Sequence, residues 1–228
     1  MSGRGLGGGD GLRGLTGLYA IADAATLRRQ GMGLREFAEE LRAGGVGTAG
    51  ASVVQWRCKG GSRMEVLEGA AVLREVFVGM GCRLLMNDSA ELAVAAGFDG
   101  VHVGQGDGWV EEARRIVGAD GIVGVSTHTE AEVRAADASS ADYVAVGPVF
   151  RTGTKVDAAA VVGLEGVRRA RALTPKPLVG IGGISAGNAR EVIEAGADAV
   201  AVIGALYRAG RSVEKSAGEL LQALAKQV

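Results

Sequence analysis

The chain has 228 residues, of which 47% are hydrophobic and 22% charged, a globular composition whose length, at ~150 residues per domain, favours one large domain. Its formal net charge of −1 excludes a global basic surface for nucleic acid, and no apolar run approaches the ~20 residues of a membrane helix. We therefore expect a cytoplasmic protein with neither nucleic-acid nor membrane partners.

The chain begins with a glycine-rich segment. Residues 1–17 contain eight of the 39 glycines, and such a composition cannot bury a hydrophobic core. The segment also lacks the apolar region of a secretory signal. We predict a flexible tail over residues 1–17 and a single catalytic domain over residues 18–228.

After this segment, short β-branched runs alternate with stretches of helical periodicity. The predicted strands are Leu18–Asp23, Ser52–Arg57, Arg83–Asn87, Gly100–Gly104, Ile122–Ser126, Tyr143–Val149, Leu178–Gly182 and Ala199–Ile203. The predicted helices, one after each strand, are Leu34–Ala43, Arg63–Val78, Ala90–Ala96, Val110–Val117, Glu130–Ala138, Leu164–Leu173, Ala189–Ala195 and Val213–Ala225. Eight such units predict an α/β fold, a TIM (β/α)8 barrel. A doubly wound sheet is the alternative, but no GxGxxG turn follows the first strand.

An internal repeat supports reuse of one unit around a ring. A helix end, a turn aspartate and a strand recur at Asp99, Asp142 and Asp198, which open the fourth, sixth and eighth strands. Repetition at every second unit is expected in a closed barrel, although an open sheet could also carry it.

Charged side chains follow several predicted strands at their carboxyl ends, where barrels of this kind build their active sites. Arg57, Lys59 and Lys155 supply cations suited to phosphate oxygens. Asp88 and Asp107 supply the carboxylates that Mg²⁺ prefers beside phosphate. For any one residue, a salt bridge on the barrel rim is the better interpretation, but five such groups together favour a binding site.

Glycines follow the last two strands. Gly183 and Gly204 lie where many barrels bind phosphate through backbone N–H groups, and Thr152 and Thr154 add hydroxyl donors. These residues suggest a second phosphate site, with simple turn glycines as the alternative. His102, inside a buried strand, is more typical of a structural residue than of a base.

Seven short motifs occur in order along the chain. They are Leu18-Tyr19-Ala20-Ile21-Ala22-Asp23, Gln55-x-Arg57-x-Lys59, Asn87-Asp88, His102-x-Gly104-Gln105-x-Asp107, Val125-Ser126-Thr127-His128-Thr129, Gly147-Pro148-Val149-Phe150-x-Thr152-x-Thr154-Lys155 and Ile181-Gly182-Gly183-Ile184. Each motif alone is weak, but the ordered set is specific. On these residues, from Leu18 to about Ala209, the chain resembles the thiamine monophosphate synthase family.

The resemblance implies a transferase that joins an aminopyrimidine methyl diphosphate to a thiazole phosphate, giving thiamine phosphate and pyrophosphate. It implies that the pyrimidine diphosphate is held by Gln55, Arg57, Lys59, Asn87, Ser126 and Lys155. It implies Mg²⁺ as the cofactor, on Asp88 and Asp107, and the thiazole phosphate on Thr152, Thr154, Gly183, Ile203 and Gly204. The residues implied to act in catalysis are Arg57, Lys59, Ser126 and Lys155.

The family pattern has departures here. Leucine is common where Trp56 stands, glutamate where Cys58 stands, proline where Arg151 stands and serine where Gly204 stands. Two alternatives to the synthase remain open. One is a thiazole tautomerase-like paralogue, which shares the fold but needs no diphosphate and metal site. The other is a noncatalytic phosphate-binding barrel, of which Gly204 and Cys58 would be signs. The sequence also leaves open whether the protein forms a homo-oligomer.

Overall fold

The computed structural model describes residues 15–48, 52–105, 110–152, 160–207 and 210–225. In these residues, parallel strands pair in chain order and the last pairs with the first, which closes the barrel. The strands are β1 Gly17–Asp23, β2 Ser52–Arg57, β3 Cys82–Asn87, β4 Gly100–Val103, β5 Ile122–Thr127, β6 Tyr143–Val146, β7 Leu178–Ile181 and β8 Ala199–Val202. The prediction of a TIM (β/α)8 barrel is therefore confirmed.

Helices surround the barrel. They are α1 Ala24–Gln30, α2 Leu34–Ala43, α3 Arg63–Val76, α4 Ala90–Ala96, α5 Val110–Val117, α6 Glu130–Ala138, α7 Gly163–Leu173, α8 Ala189–Glu194 and α9 Val213–Leu224, with a 3₁₀ turn at Gly204–Leu206. The prediction of one helix after each strand is wrong for the first unit, which has two. The extra helix, α1, begins because the side chain of Asp23 accepts a hydrogen bond from the backbone N–H of Thr26.

The sixth strand is shorter than predicted and ends at Val146 rather than Val149. The chain then crosses the end of β7, where the N–H of Val149 donates to the carbonyl of Ile181 at 2.8 Å and the N–H of Phe150 donates to that of Gly182 at 2.9 Å. The segment after β6 therefore lies against the turn after β7.

Two apolar layers hold the barrel together, because successive side chains of a strand point to opposite faces. The outer layer packs the strands against the helices. The inner layer fills the barrel and includes Tyr19, Leu85, Ile122, Tyr143 and Ala201. The large ring of Tyr143 fits because β5 has glycine beside it, since a Cβ on Gly124 would lie 1.9 Å from Cζ of Tyr143.

The repeated aspartates lie at the amino-terminal end of the barrel, and each carboxylate fastens two neighbouring strands. It accepts a backbone N–H at the start of the preceding strand and pairs with an arginine. The sets are Asp99 with Leu84 N–H and Arg83, Asp142 with Val123 N–H and Arg114, and Asp198 with Leu178 N–H and Arg171. The repeat is thus a structural device at the end opposite the expected site. We call these three sets the aspartate fastenings.

The last residues of the segment predicted as a tail belong to the barrel. Leu15 is 5% exposed and packs in the inner layer. Gly17 begins β1, and its N–H donates to the carbonyl of Asp198 at 3.1 Å. The rest of that segment, residues 1–14, lies outside the described residues. Among the helices that the structure describes, none has the length and apolarity needed to cross a membrane.

Candidate active site

The strand register places the polar residues of the middle strands at the barrel mouth. Gln55 and Arg57 alternate with outward residues and have the same orientation as Val53 of the inner layer. By the same alternation, Asn87 and Ser126 face inward at the carboxyl ends of β3 and β5. Four predicted substrate residues are therefore brought to one face. Trp56 lies on the outer face, where its indole N–H donates to the carbonyl of Val66 at 3.0 Å.

Arg57 is held by a buried carboxylate. Its Nη1 lies 2.5 Å from Oδ2 of Asp23, the residue paired with it in the β1–β2 register. The other oxygen of Asp23 accepts the N–H and the hydroxyl of Thr26 at 2.8 and 2.7 Å. Burial raises the pKa of Asp23, but the hydrogen bonds from Thr26 and Arg57 outweigh it, so the pKa is lowered overall. Asp23 is therefore an ionised anchor for Arg57, and Lys59 lies exposed two residues further on.

Asn87 and Asp88 form the corner after β3. Nε2 of Gln55 donates to Oδ1 of Asn87 at 2.9 Å. Asp88 has a φ of 69°, in the left-handed region that residues other than glycine rarely adopt, and its N–H donates to the carbonyl of His102 at 2.9 Å. Strain of this kind is concentrated at functional sites. This backbone conformation fixes the position of the Cα atom of Asp88, which carries the carboxylate side chain, between β3 and β4.

A chain of polar side chains crosses the barrel below this corner. The hydroxyl of Tyr19 contacts Oε1 of Gln55 at 3.3 Å and the hydroxyl of Tyr143 at 2.9 Å. The Tyr143 hydroxyl also lies 2.7 Å from Nδ1 of His102, whose Nε2 lies 2.8 Å from Oγ of Ser126. Sequence reasoning missed both tyrosines as part of the site. The available signals were the polar-tipped aromatic residues in otherwise aliphatic strands and the position of Tyr19 in the first of the seven motifs.

The turn after β7 forms the far side of the mouth. Gly183 has a φ of 66°, and a Cβ there would lie 2.5 Å from the carbonyl oxygen of Arg151. Glycine is therefore required for the close approach of the segment that leads to Thr152. Among the described residues, no backbone group accepts the N–H of Gly183 or of Gly204. Ile203 and Gly204 begin the turn after β8.

Three predicted site residues, Asp107, Thr154 and Lys155, lie outside the described residues. In the part of the chain that is described, no three histidine, cysteine or acidic side chains group together as a metal site. Asp88 still fits Mg²⁺, because this ion binds through one or two carboxylates and takes its other ligands from water and phosphate. The donor chemistry at this corner thus suits a diphosphate-bound Mg²⁺.

The described residues form a closed parallel barrel with cationic and amide side chains at its carboxyl end, and none of their backbone groups accepts the N–H of Gly183 or Gly204. These features define a class of protein. It is the class of TIM-barrel enzymes that act on phosphorylated small molecules.

Comparisons with known proteins narrow this class. A family model described as thiamine monophosphate synthase matches residues 18–206. The thiamine-phosphate synthase of Koribacter versatilis is 46% identical over 209 residues, which cover 91% of this chain and 95% of the relative. That of Chloroflexus aurantiacus is 43% identical over 192 residues, or 84% and 85% of the two chains. The chain belongs to the thiamine monophosphate synthase family.

A solved structure agrees with this assignment. Thiamine phosphate pyrophosphorylase from Pyrococcus furiosus is similar with a TM-score of 0.79 and 33% identity, covering 92% of this chain and 95% of that one. The predictions of a thiamine-phosphate synthase and of a transferase in thiamine biosynthesis are confirmed by these relatives. Its substrates are accordingly small molecules.

Proposed function

We propose that the chain joins an aminopyrimidine methyl diphosphate to a thiazole phosphate at this barrel mouth, by a Mg²⁺-assisted dissociative displacement. The observation that carries the proposal is the strand register, which brings Gln55, Arg57, Asn87 and Ser126 to one face. We place the reaction in a single cytoplasmic catalytic domain, residues 18–228 together with residues 15–17, which also belong to the barrel. Each barrel has its own mouth, so the proposed reaction does not require two chains to associate.

Arg57 and Lys59 would bind the diphosphate. The Asp23 carboxylate accepts a hydrogen bond from Nη1 of Arg57. No other acceptor contacts the guanidinium among the described residues, so its remaining N–H groups would bind phosphate oxygens. Lys59, exposed at the rim, adds a second cation, and Lys155 would add a third. Because these cations stabilise charge that increases as pyrophosphate departs, they favour the transition state over the bound substrate.

Asp88 and Asp107 would hold Mg²⁺. When bound, the ion would neutralise negative charge on the leaving diphosphate. The strained corner at Asp88 supports this assignment, because it directs the backbone of a carboxylate residue to the mouth beside Asn87. Asn87 would then bind the same diphosphate through its amide.

The opposite side of the mouth would hold the thiazole phosphate. The backbone N–H groups of Gly183 and Gly204 suit an anion, and Thr152 and Thr154 would add hydroxyl donors. Ile203 borders this side and would contact the thiazole ring. The serine-to-glycine departure at position 204 removes a hydroxyl but not the backbone donor.

The two sides account for the bond changes of the reaction. The carbon–oxygen bond to the diphosphate breaks, and its electron pair leaves with pyrophosphate. The aminopyrimidine ring delocalises the resulting methylene cation, and the thiazole nitrogen donates its lone pair to form the carbon–nitrogen bond. No protein nucleophile is required, so the residues act by binding, orientation and electrostatic stabilisation.

The test is pyrophosphate release from both substrates with and without Mg²⁺, using the full-length protein. We expect Mg²⁺-dependent release, and Arg57→Met and Asp88→Asn should each lower kcat/KM by about 100-fold, the scale of one lost electrostatic contact to a transition state. The matched controls are Arg115→Met and Asp120→Asn, exposed residues away from the mouth. Release without Mg²⁺, or full turnover by Asp88→Asn, would contradict the metal assignment. No release at all would favour a noncatalytic barrel.

A further inference from the structure

Six side chains form one continuous hydrogen-bond chain across the interior of the barrel. Asn87 stands at one end and Ser126 at the other, and both are partly exposed at the mouth. The order of the chain is Asn87, Gln55, Tyr19, Tyr143, His102 and Ser126. Each of its members comes from a different strand, β1 to β6. The ends are predicted substrate residues, and the tyrosines and the histidine between them are not.

The direction of the hydrogen-bond chain follows from the orientation of the Gln55 amide in the structure, because an amide oxygen only accepts hydrogen bonds and an amide nitrogen only donates. Nε2 of Gln55 faces Oδ1 of Asn87, and Oε1 faces the hydroxyl of Tyr19. Tyr19 therefore donates its single hydroxyl hydrogen to Gln55. The oxygen of Tyr19 must then accept from the hydroxyl of Tyr143.

The same assignment of donors and acceptors continues through His102. Tyr143 uses its only hydrogen on Tyr19, so its oxygen accepts a hydrogen from Nδ1 of His102. A neutral histidine with its proton on Nδ1 has a bare Nε2, which accepts from the hydroxyl of Ser126 at 2.8 Å. Burial raises the pKa of Tyr19 and Tyr143, which keeps both hydroxyl hydrogens in place.

We propose that Tyr19, Tyr143 and His102 are positioning residues that set the donor and acceptor polarity of the substrate site. Ser126 sends its only hydrogen into the barrel and therefore presents an acceptor at the mouth. Asn87 accepts from Gln55 through Oδ1 and therefore presents its amide hydrogens as donors.

This polarity selects among pyrimidines, and this part of the inference rests on the proposed function. An exocyclic amino group donates a hydrogen bond and matches the acceptor on Ser126. An oxo group at the same ring position accepts, so it would face an acceptor with no hydrogen between them. Sites built to pair with one hydrogen-bonding group discriminate strongly against an analogue that lacks it. The amino-bearing diphosphate is therefore preferred to its oxo analogue.

The first experiment reads the tautomer of His102 directly by ¹⁵N NMR of the full-length protein, at about pH 8, above the usual histidine pKa of ~6.5. The chain has 2 histidines, and His128→Gln assigns the signals. His128 is an internal reference, because its Nδ1 lies 2.6 Å from the carbonyl oxygen of Gly147 and must donate. We expect His102 to carry its proton on Nδ1 as well. A proton on Nε2 would mean the reverse polarity and would overturn the proposal.

The second experiment removes one hydroxyl group from the hydrogen-bond chain. Tyr143→Phe keeps the ring that fills the barrel but takes away the acceptor of the His102 proton. We expect loss of the single Nδ1–H tautomer and a drop of about tenfold in the preference for the amino over the oxo diphosphate, the scale of one hydrogen bond. The matched control is Tyr207→Phe, since the buried hydroxyl of Tyr207 has no hydrogen-bond partner among the described residues.

Binding of the two diphosphates is measured by calorimetry, so the result does not depend on turnover. An unchanged preference in Tyr143→Phe would overturn the proposal, as would an equal drop in Tyr207→Phe. The wild-type spectrum needs no variant and decides the tautomer even if Tyr143→Phe does not fold. If His102 carries its proton on Nδ1 but the protein releases no pyrophosphate, the proposed function is refuted. The donor and acceptor polarity of the hydrogen-bond chain is then still supported.

Discussion

The buried pair of Asp23 and Arg57 links the stability of the barrel to its site, and two substitutions at Asp23 separate its contributions. Asp23→Asn keeps an amide oxygen for Thr26, so the cap of α1 remains and only the charged bond to Arg57 is lost. Asp23→Ala loses both. We expect the free energy of unfolding to fall by ~2 kcal/mol for asparagine, within the range for a hydrogen bond between charged groups. For Asp23→Ala, loss of the helix cap should lower the free energy of unfolding by a further ~1 kcal/mol.

The assay is urea and thermal denaturation followed by circular dichroism. A chain of this length loses ~2–4 °C of Tm per kcal/mol, so Asp23→Asn should melt about 4–8 °C below the wild type. The matched control, Asp120→Asn, changes an exposed aspartate and should stay within ~0.5 kcal/mol of the wild type. Because Arg57 loses its anchor, Asp23→Asn should also raise the KM for the pyrimidine diphosphate and leave that for the thiazole phosphate unchanged.

Two outcomes would refute this reasoning. An Asp23→Asn variant as stable as the wild type would show that the ion pair contributes nothing net, as many exposed pairs do. Equal losses for Asp23→Asn and Asp23→Ala would show that the hydrogen bonds to Thr26 do not stabilise α1. The first result would remove Asp23 as a stabilising anchor of Arg57, and the second would remove it as the cap of α1.

Three further predictions concern the barrel itself. Asp142→Ala removes one aspartate fastening and should lower the free energy of unfolding by ~2 kcal/mol in urea, because it leaves the Val123 N–H without its acceptor and Arg114 without its carboxylate partner. Gly124→Ala should cost ~3 kcal/mol by overpacking, since its Cβ would overlap the Tyr143 ring. The lowered pKa of Asp23 means that its contribution is complete above the ordinary value of ~3.9 and is lost as pH falls through the folded-state pKa. Acid titrations of stability should therefore be steeper for the wild type than for Asp23→Asn.

Each of these predictions has its own control. Asp120→Ala, near the same end of the barrel as Asp142, should be close to neutral, and an equal loss would contradict the role of the aspartate fastenings. Gly187→Ala places a Cβ no nearer than 3.8 Å to another atom, so this variant should be as stable as the wild type. Equal stability of Gly124→Ala would show that the Tyr143 ring moves aside and would contradict the overpacking. Parallel acid titration curves for the wild type and Asp23→Asn would contradict the lowered pKa.

The elements of the fold were largely readable from periodicity, because buried strands are continuous apolar runs and the surrounding helices are amphipathic. The helix α1 was missed since it has seven residues and little apolar periodicity, and it depends on a cap from Asp23, which the sequence suggests only as a strand end. The end of β6 was placed too late because Val149 continues the apolar run, while its hydrogen bond goes to the turn region of β7. Both differences come from tertiary contacts that override local pattern.

The sequence predicted the end of the barrel at which the candidate residues lie, but not the hydrogen-bond partners of those residues. Strand order alone puts Arg57 and Asn87 at the same end of a parallel barrel. The partners of these residues depend on register, as in the pairing of Asp23 with Arg57, which are 34 positions apart. The contact between Tyr19 and Tyr143 spans 124 positions, and no spacing rule in one sequence reveals it. The roles assigned to the substrate residues came from the family resemblance, and the relatives confirm the family while those roles remain proposals.

The aspartate fastenings have a consequence for how the chain reaches this fold. Each joins two strands that follow one another, and the aspartate lies only 15, 19 or 20 positions from the backbone N–H that it accepts. Loops of this size close at a small entropic cost, and contacts between near neighbours in sequence are associated with fast folding. The pairs β3–β4, β5–β6 and β7–β8 can thus form as independent modules before the ring closes. We expect folding to nucleate at the amino-terminal end of the barrel, opposite the candidate site, which is completed last.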